Sequence, residues 1–135
     1  MKIVICASMA FAQKIFEAEK ELARNGHEAF VHEKVKMHAE KALSSAENTQ
    51  EKINDDIIKV YFEKIKNSDA ILVLNYDKNG IENYIGGNVF LEIGFAHVLG
   101  KKIFLLNPVP DVPYKDEIVA MQPVVLNGKF DLLKI

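Results

Sequence analysis

Ala70-Ile71-Leu72-Val73-Leu74, a polar loop to Ile85, Gly86-Gly87-Asn88-Val89-Phe90-Leu91-Glu92-Ile93-Gly94-Phe95-Ala96-His97-Val98-Leu99-Gly100, then Lys102-Ile103-Phe104-Leu105-Leu106: from residue 70 to 106 the chain reads strand, helix, strand. Both strands are continuous apolar runs rich in β-branched residues, the pattern of strands buried on two faces of a parallel sheet. The helix between them supplies the crossover that parallel strands need. It is apolar around its whole circumference except at Glu92 and His97, so the spacing predicts a largely buried helix. At about 100° per residue, Val89, Phe95, Ala96 and Leu99 flank the Glu92 face, while Phe90, Ile93 and His97 lie opposite. A buried carboxylate is costly unless something hydrogen-bonds it, pairs with it or uses it.

The same alternation extends in both directions. Lys2 to Ala7 is a short buried-type strand ending at Ser8. Phe11, Ile15, Ala18 and Leu22 recur at helical spacing until the stop signal Asn25-Gly26. His27 to His32 reads as a second, less apolar strand. Glu33 to Ile53 turns polar and reads as an exposed helical excursion, a solvated helix or a lid over a pocket. Ile57, Val60, Tyr61 and Ile65 mark another amphipathic helix, ended by Asn67-Ser68-Asp69. After Leu106 the chain stops at Asn107-Pro108, and three of its four prolines stiffen Pro108 to Pro113. A short helix around Glu117 to Met121 and a last strand, Pro123 to Leu126, follow. Five strands alternating with helices predict a five-stranded parallel sheet with right-handed crossovers and helices on both faces. We expect residues 1–135 to form a single domain.

Composition narrows the function classes. With 49% hydrophobic and 27% charged residues the chain is an ordinary globule, and a net charge of −2 from interspersed Lys and Glu lacks the basic footprint of a nucleic-acid binder. The expected partner is a small molecule, with no nucleic-acid polymer and no membrane. One cysteine, Cys6, rules out an internal disulfide and sits in an apolar run, where a core role is expected. No apolar run reaches membrane-spanning length, and the first residues are too short for a signal segment, so a cytoplasmic location is expected. His27, His32, His38 and His97 lack metal-ligand spacing. No metal and no cofactor are expected.

In sheets of this kind ligands bind beyond the carboxyl ends of the strands. Those ends are Ser8, Asn75 to Asp77 and Asn107, and the Glu92 helix opens onto the same rim. Strand one ends in Cys6-Ala7-Ser8-Met9-Ala10 rather than G-x-G-x-x-G, and no Walker-type loop occurs. Gly86 and Gly87 can bring backbone amides close to an anion. With Asn88 as the helix N-cap, the capping-box position would fall on Leu91, which leaves Glu92 one residue too deep to be a cap. Glu92 is therefore either a structurally paired acid or a working one. A working carboxylate here can attack the anomeric carbon of a sugar and form a covalent glycosyl-enzyme. Asp77 is the acid best placed to assist, with Asn75 and Tyr76 as hydrogen-bonding neighbours, and Ser8 can bind a phosphate or a sugar hydroxyl.

The stretch Gly86 to Ala96, with Glu92-Ile93-Gly94-Phe95-Ala96 as an E-x-G-x-A helix, followed by Gly100-Lys101-Lys102-Ile103-Phe104-Leu105-Leu106, resembles the nucleoside 2-deoxyribosyltransferase family and its relatives that hydrolyse 2′-deoxynucleoside 5′-monophosphates. The resemblance implies a flavodoxin-like three-layer α/β sandwich, with Glu92 as nucleophile and Asp77 and Asn75 among the polar groups after strand three. It implies a nucleoside or nucleotide substrate, which the rim residues Ser8, Tyr76, Gly86, Gly87 and Asn88 are expected to line. It also implies a homo-oligomer whose neighbouring subunit completes the pocket. Two positions depart from the family: Gly86 stands where transferases carry an aspartate six residues before the nucleophile, and Asn88 stands in place of a glycine. Alternatives of other classes are a non-catalytic nucleotide-binding module of the same fold, a flavodoxin-like electron carrier, and a structural role in which Glu33 to Ile53 docks a partner.

Overall fold

The computed structural model describes residues 1–33, 35 and 56–133. Five strands form one sheet: β1 (Lys2–Cys6), β2 (Glu28–Phe30), β3 (Ala70–Val73), β4 (Lys102–Leu105) and β5 (Val124–Val125). Their order is β2-β1-β3-β4-β5 and every pairing is parallel. This is the doubly wound order of a flavodoxin-like fold, with its switch point between β1 and β3. The helices are α1 (Ala12–Arg24), α2 (Ile57–Lys66), α3 (Gly87–Val98) and α4 (Lys115–Ala120), with 3₁₀ turns at Met9–Phe11 and Phe130–Leu132.

The sheet divides two cores. On one side Ile3, Ile5, Leu72, Leu74 and Phe104 pack under α1 through Ile15, Ala18 and Leu22. On the other, Val4, Cys6, Ile71, Val73 and Leu105 pack under α2 and α3 through Tyr61, Ile65, Val89, Ile93 and Ala96. Alternate residues of each central strand thus serve opposite cores, which is why the sequence runs are continuously apolar.

Several expectations shift at the edges. β2 spans three residues rather than His27 to His32, because an edge strand pairs only with Lys2 to Val4 of β1. β1 stops at Cys6, before Ala7, and β3 and β4 each end one residue early, at Val73 and Leu105. β5 is confined to the two residues opposite Phe104 and Leu105, although the Leu126 amide still donates to the Leu105 carbonyl at 2.8 Å. Helix α4 starts two residues before the expected Glu117. The excursion from Glu33 to Ile53 lies outside the described residues, except that Glu33 is a turn and Val35 is buried.

Helix α3 is also less buried than its composition predicts. Val89, Glu92, Ile93 and Ala96 face the core, whereas Leu91 and Val98 are 45% and 84% exposed and His97 is exposed. The helix covers the sheet with one face only, and the buried arc runs from Glu92 toward Ile93. Its N-cap is Gly86 rather than Asn88. Glu92 is then the sixth helical residue, deeper still than the expected register and well past the turn in which an acid caps free amides.

Candidate active site at the carboxyl edge of the sheet

Glu92 belongs to the α2–α3 side, only 9% exposed. Its neighbour from the sheet is the Cys6 thiol at the end of β1, which is fully buried, donates to the Val4 carbonyl at 3.9 Å and stands beside the Glu92 side chain. Burial first, and then the adjacent carboxylate, push the Cys6 thiol well above its usual range, so it stays protonated. Tyr61 of α2 completes the surroundings. Burial first, and then its ionisable neighbours Cys6 and Glu92, raise its hydroxyl, opposed by a backbone hydrogen bond with His32. The His32 ring stacks on Tyr61 with centroids 6.1 Å apart, and Phe30 meets both rings edge-on. Cys6 is therefore core, as its run of apolar neighbours implied, but core in contact with the acid.

Helical side chains tilt toward the N-terminus, so Glu92 leans toward the mouth of α3, where the loop from Asn75 to Ile85 arrives. That loop is a small hairpin. Asn79 and Gly80 both have positive φ, 54° and 73°, in the two-residue turn closed by paired backbone hydrogen bonds between Lys78 and Ile81. The Tyr84 amide donates to the Tyr76 carbonyl at 2.9 Å, and the Asn83 amide donates to Asp77 Oδ1 at 2.9 Å. The turn carries Lys78 back over the rim, where its Nζ donates to Ser8 Oγ at 2.8 Å and lies 5.5 Å from the centroid of the Tyr84 ring. Ser8 Oγ also accepts the Ala10 amide at 3.3 Å. Tyr84 in turn rests over Gly86: a Cβ at position 86 would stand 3.0 Å from the Tyr84 hydroxyl. Beside it Tyr114 donates to the Ile85 carbonyl and packs against Phe90 at 4.7 Å between centroids.

The sequence candidates are thus distributed unevenly. Ser8, Gly86, Gly87 and Asn88 gather at the mouth of α3 and the end of β1. Asp77 is exposed and its Oδ1 fixes the hairpin. Asn75 is fully buried: its Nδ2 donates to the Asn107 and Pro108 carbonyls at 2.8 and 3.1 Å, and its Oδ1 accepts the Asn107 amide at 2.9 Å. That side chain is a lock between the ends of β3 and β4 and turns no free polar group to the rim. Tyr76 lies on the other side of the sheet, edge-on to Phe11 and under Lys14. It borders a groove of about 440 Å³ along α1, lined also by Lys14, Lys20, Arg24 and Phe130. Lys78, Tyr84, Cys6 and Tyr61 were not among the sequence candidates for the site. The Asn79-Gly80 dipeptide was the available signal for the first two, because an Asn-Gly turn fixes the hairpin that brings them over the rim. Among the described residues no group of His, Cys, Asp and Glu converges as a metal site, and no helix is long and apolar enough to cross a membrane.

Sheet order and the rim before α3 define a flavodoxin-like α/β protein. No family model and no curated protein sequence matches the chain. Among solved structures it is similar to the CMP N-glycosidase BcmB of Clostridium botulinum, with a TM-score of 0.56 and 16% identity over 93% of this chain and 85% of that one. At that identity the likeness speaks for the shared fold.

Proposed function

We propose that this protein cleaves the N-glycosidic bond of a nucleoside or nucleoside 5′-monophosphate, with Glu92 as nucleophile. The observation that carries the reading is the position of Glu92: a nearly buried carboxylate on α3, set beside the thiol that ends β1 and stays protonated. A carboxylate in such a place is shielded from bulk water and oriented, as attack on an anomeric carbon requires. Ser8 and Lys78 offer a hydroxyl and an ammonium, 2.8 Å apart, for a sugar hydroxyl or a 5′-phosphate. Gly86, Gly87 and Asn88 bring the first amides of α3 to the same mouth. Asp77 keeps one oxygen for a ligand while the other holds the hairpin. The fold neighbour acts on CMP, so the substrate panel includes CMP beside the 2′-deoxynucleosides and their monophosphates.

The test follows released base, with and without a second base as acceptor. Glu92→Gln should lower release by roughly three orders of magnitude or more while the fold is kept. Unchanged turnover in Glu92→Gln removes the nucleophile from the mechanism. The absence of a side-chain acid at Gly86 favours one second reading, a nucleotide-binding module without turnover. It predicts thermal stabilisation by nucleotides and no released base from the wild type.

A further inference from the structure

The reading of Glu92 as nucleophile leaves one chemical demand unmet. When the C1′–N bond breaks, its electron pair goes to the base, and a nucleobase departs slowly unless a proton arrives with that pair. Position 86 has no side chain. Asp77 is on the exposed hairpin, with Oδ1 engaged by the Asn83 amide. The group that occupies the space beside Gly86 is the half-buried Tyr84, whose hydroxyl lies 3.0 Å from where a Cβ at 86 would begin. Gly86 and Tyr84 are matched: any larger residue at 86 would displace the ring.

We propose that the Tyr84 hydroxyl is the proton donor to the departing nucleobase, filling from the loop the place a side chain at position 86 would take. Gly86 is the N-cap of α3 and Glu92 lies six residues further on, about 9 Å along the axis at 1.5 Å per residue. Glu92 leans back across that interval, which suits a pentose held between its carboxylate and the hydroxyl. The Lys78 ammonium, 5.5 Å from the ring centroid, offsets the charge left on the phenol as its proton moves. In the first half of the cycle a Glu92 oxygen bonds to C1′, the C1′–N bond breaks, its electron pair passes to the base, and the Tyr84 proton follows. In the second half a water bonds to C1′ and gives its proton to the Tyr84 phenolate as the Glu92–C1′ bond breaks. Acid and nucleophile return unchanged, and the products are the free base and the sugar.

This role rests on the N-glycosidase reading, and leaving-group dependence separates the two. The best nucleotide substrate of the wild type is compared with the 4-nitrophenyl glycoside of the same pentose, whose nitrophenolate leaves without a proton. Tyr84→Phe should lower kcat for base release by about 10²-fold or more, with KM little changed, and lower the rate of the first-turnover burst of nitrophenol by less than about threefold, with later turnovers slowed because the water has lost its base. In the double variant Tyr84→Ala with Gly86→Asp, base release should recover at least about tenfold over Tyr84→Ala, because the aspartate enters the vacated space. Gly86→Asp alone should impair release, since its Cβ crowds the ring. Equal losses of base release and of the first-turnover nitrophenol burst in Tyr84→Phe, or full base release, overturn the donor role and leave the nucleophile standing. A wild type that releases neither product, or that Glu92→Gln matches, overturns both.

Discussion

Asn75 carries a prediction that distinguishes a lock from a ligand contact. Its fully buried amide satisfies the carbonyls of Asn107 and Pro108 and the amide of Asn107 in part-buried bonds, while Asn107 Nδ2 returns a bond to the Asn75 carbonyl at 3.0 Å. Removing one partner leaves the others unpaired, and each buried orphan costs more than the bond itself contributed. Asn75→Ala should therefore destabilise the protein by about 2–4 kcal/mol, read as a lower urea midpoint. An unchanged midpoint with weakened nucleotide binding would return Asn75 to the ligand site. The sequence marked this residue as polar at a strand end, which is true of a lock and of a binding group alike. What separates them is a partner 32 residues away, and no local pattern records it. Glu92 stands out for the opposite reason: a single acid in an apolar helix conflicts with its surroundings, and the structure does bury it, at 9% exposure.

The sequence identifies α3 as a helix but predicts more burial than the helix has. Apolar composition around a helix does not say which arc meets the sheet, and here Ile93 is wholly buried while Val98 is 84% exposed. Ile93→Ala should cost about 2–5 kcal/mol, and Val98→Ala should stay within about 0.5 kcal/mol, both from urea unfolding. Comparable losses at the two positions would mean that the outer arc is covered in solution, as a second copy of the chain would cover it. The loop before α3 departs further from the sequence expectation. Its polar composition marked a connection, but Asn79-Gly80 specifies a hairpin, and a hairpin carries Lys78 and Tyr84 to places that a plain loop would not. β2 and β5 are shorter than their apolar runs because strand length at a sheet edge is set by the one neighbour each has, not by the run itself.

Over the whole molecule, the alternation of apolar runs and amphipathic helices was enough for five parallel strands between two helical layers, since crossover handedness and continuous burial leave few other arrangements. Strand order is what turns that architecture into a site. With β1 between β2 and β3, the Ser8–Lys78 bond spans the switch point, joining residues 70 apart in sequence. The same order drives Cys6 into the interior against Glu92, and this has a consequence for stability of the entire fold. The native Cys6 thiol is held well above its ordinary value of 9.0 and the Tyr61 hydroxyl above its ordinary 10.0, in both cases first by burial. Once pH passes the unfolded value, the unfolded chain gives up a proton that the native state keeps, so the unfolded state binds fewer protons and stability falls as pH rises. Below about pH 8 this contribution is fully present. From about pH 9 Cys6 should remove up to about 1.4 kcal/mol per pH unit, with Tyr61 adding to the slope above about pH 10. Urea midpoints measured between about pH 7.5 and 10.5 should decline along that course, and Cys6→Ala, which cannot titrate, should decline less between about pH 9 and 10. The sequence contains one cysteine, so no other thiol can supply the difference. Parallel declines in the wild type and Cys6→Ala would mean that the thiol ionises as readily in the native protein as in the unfolded chain, and so does not lie sealed against Glu92.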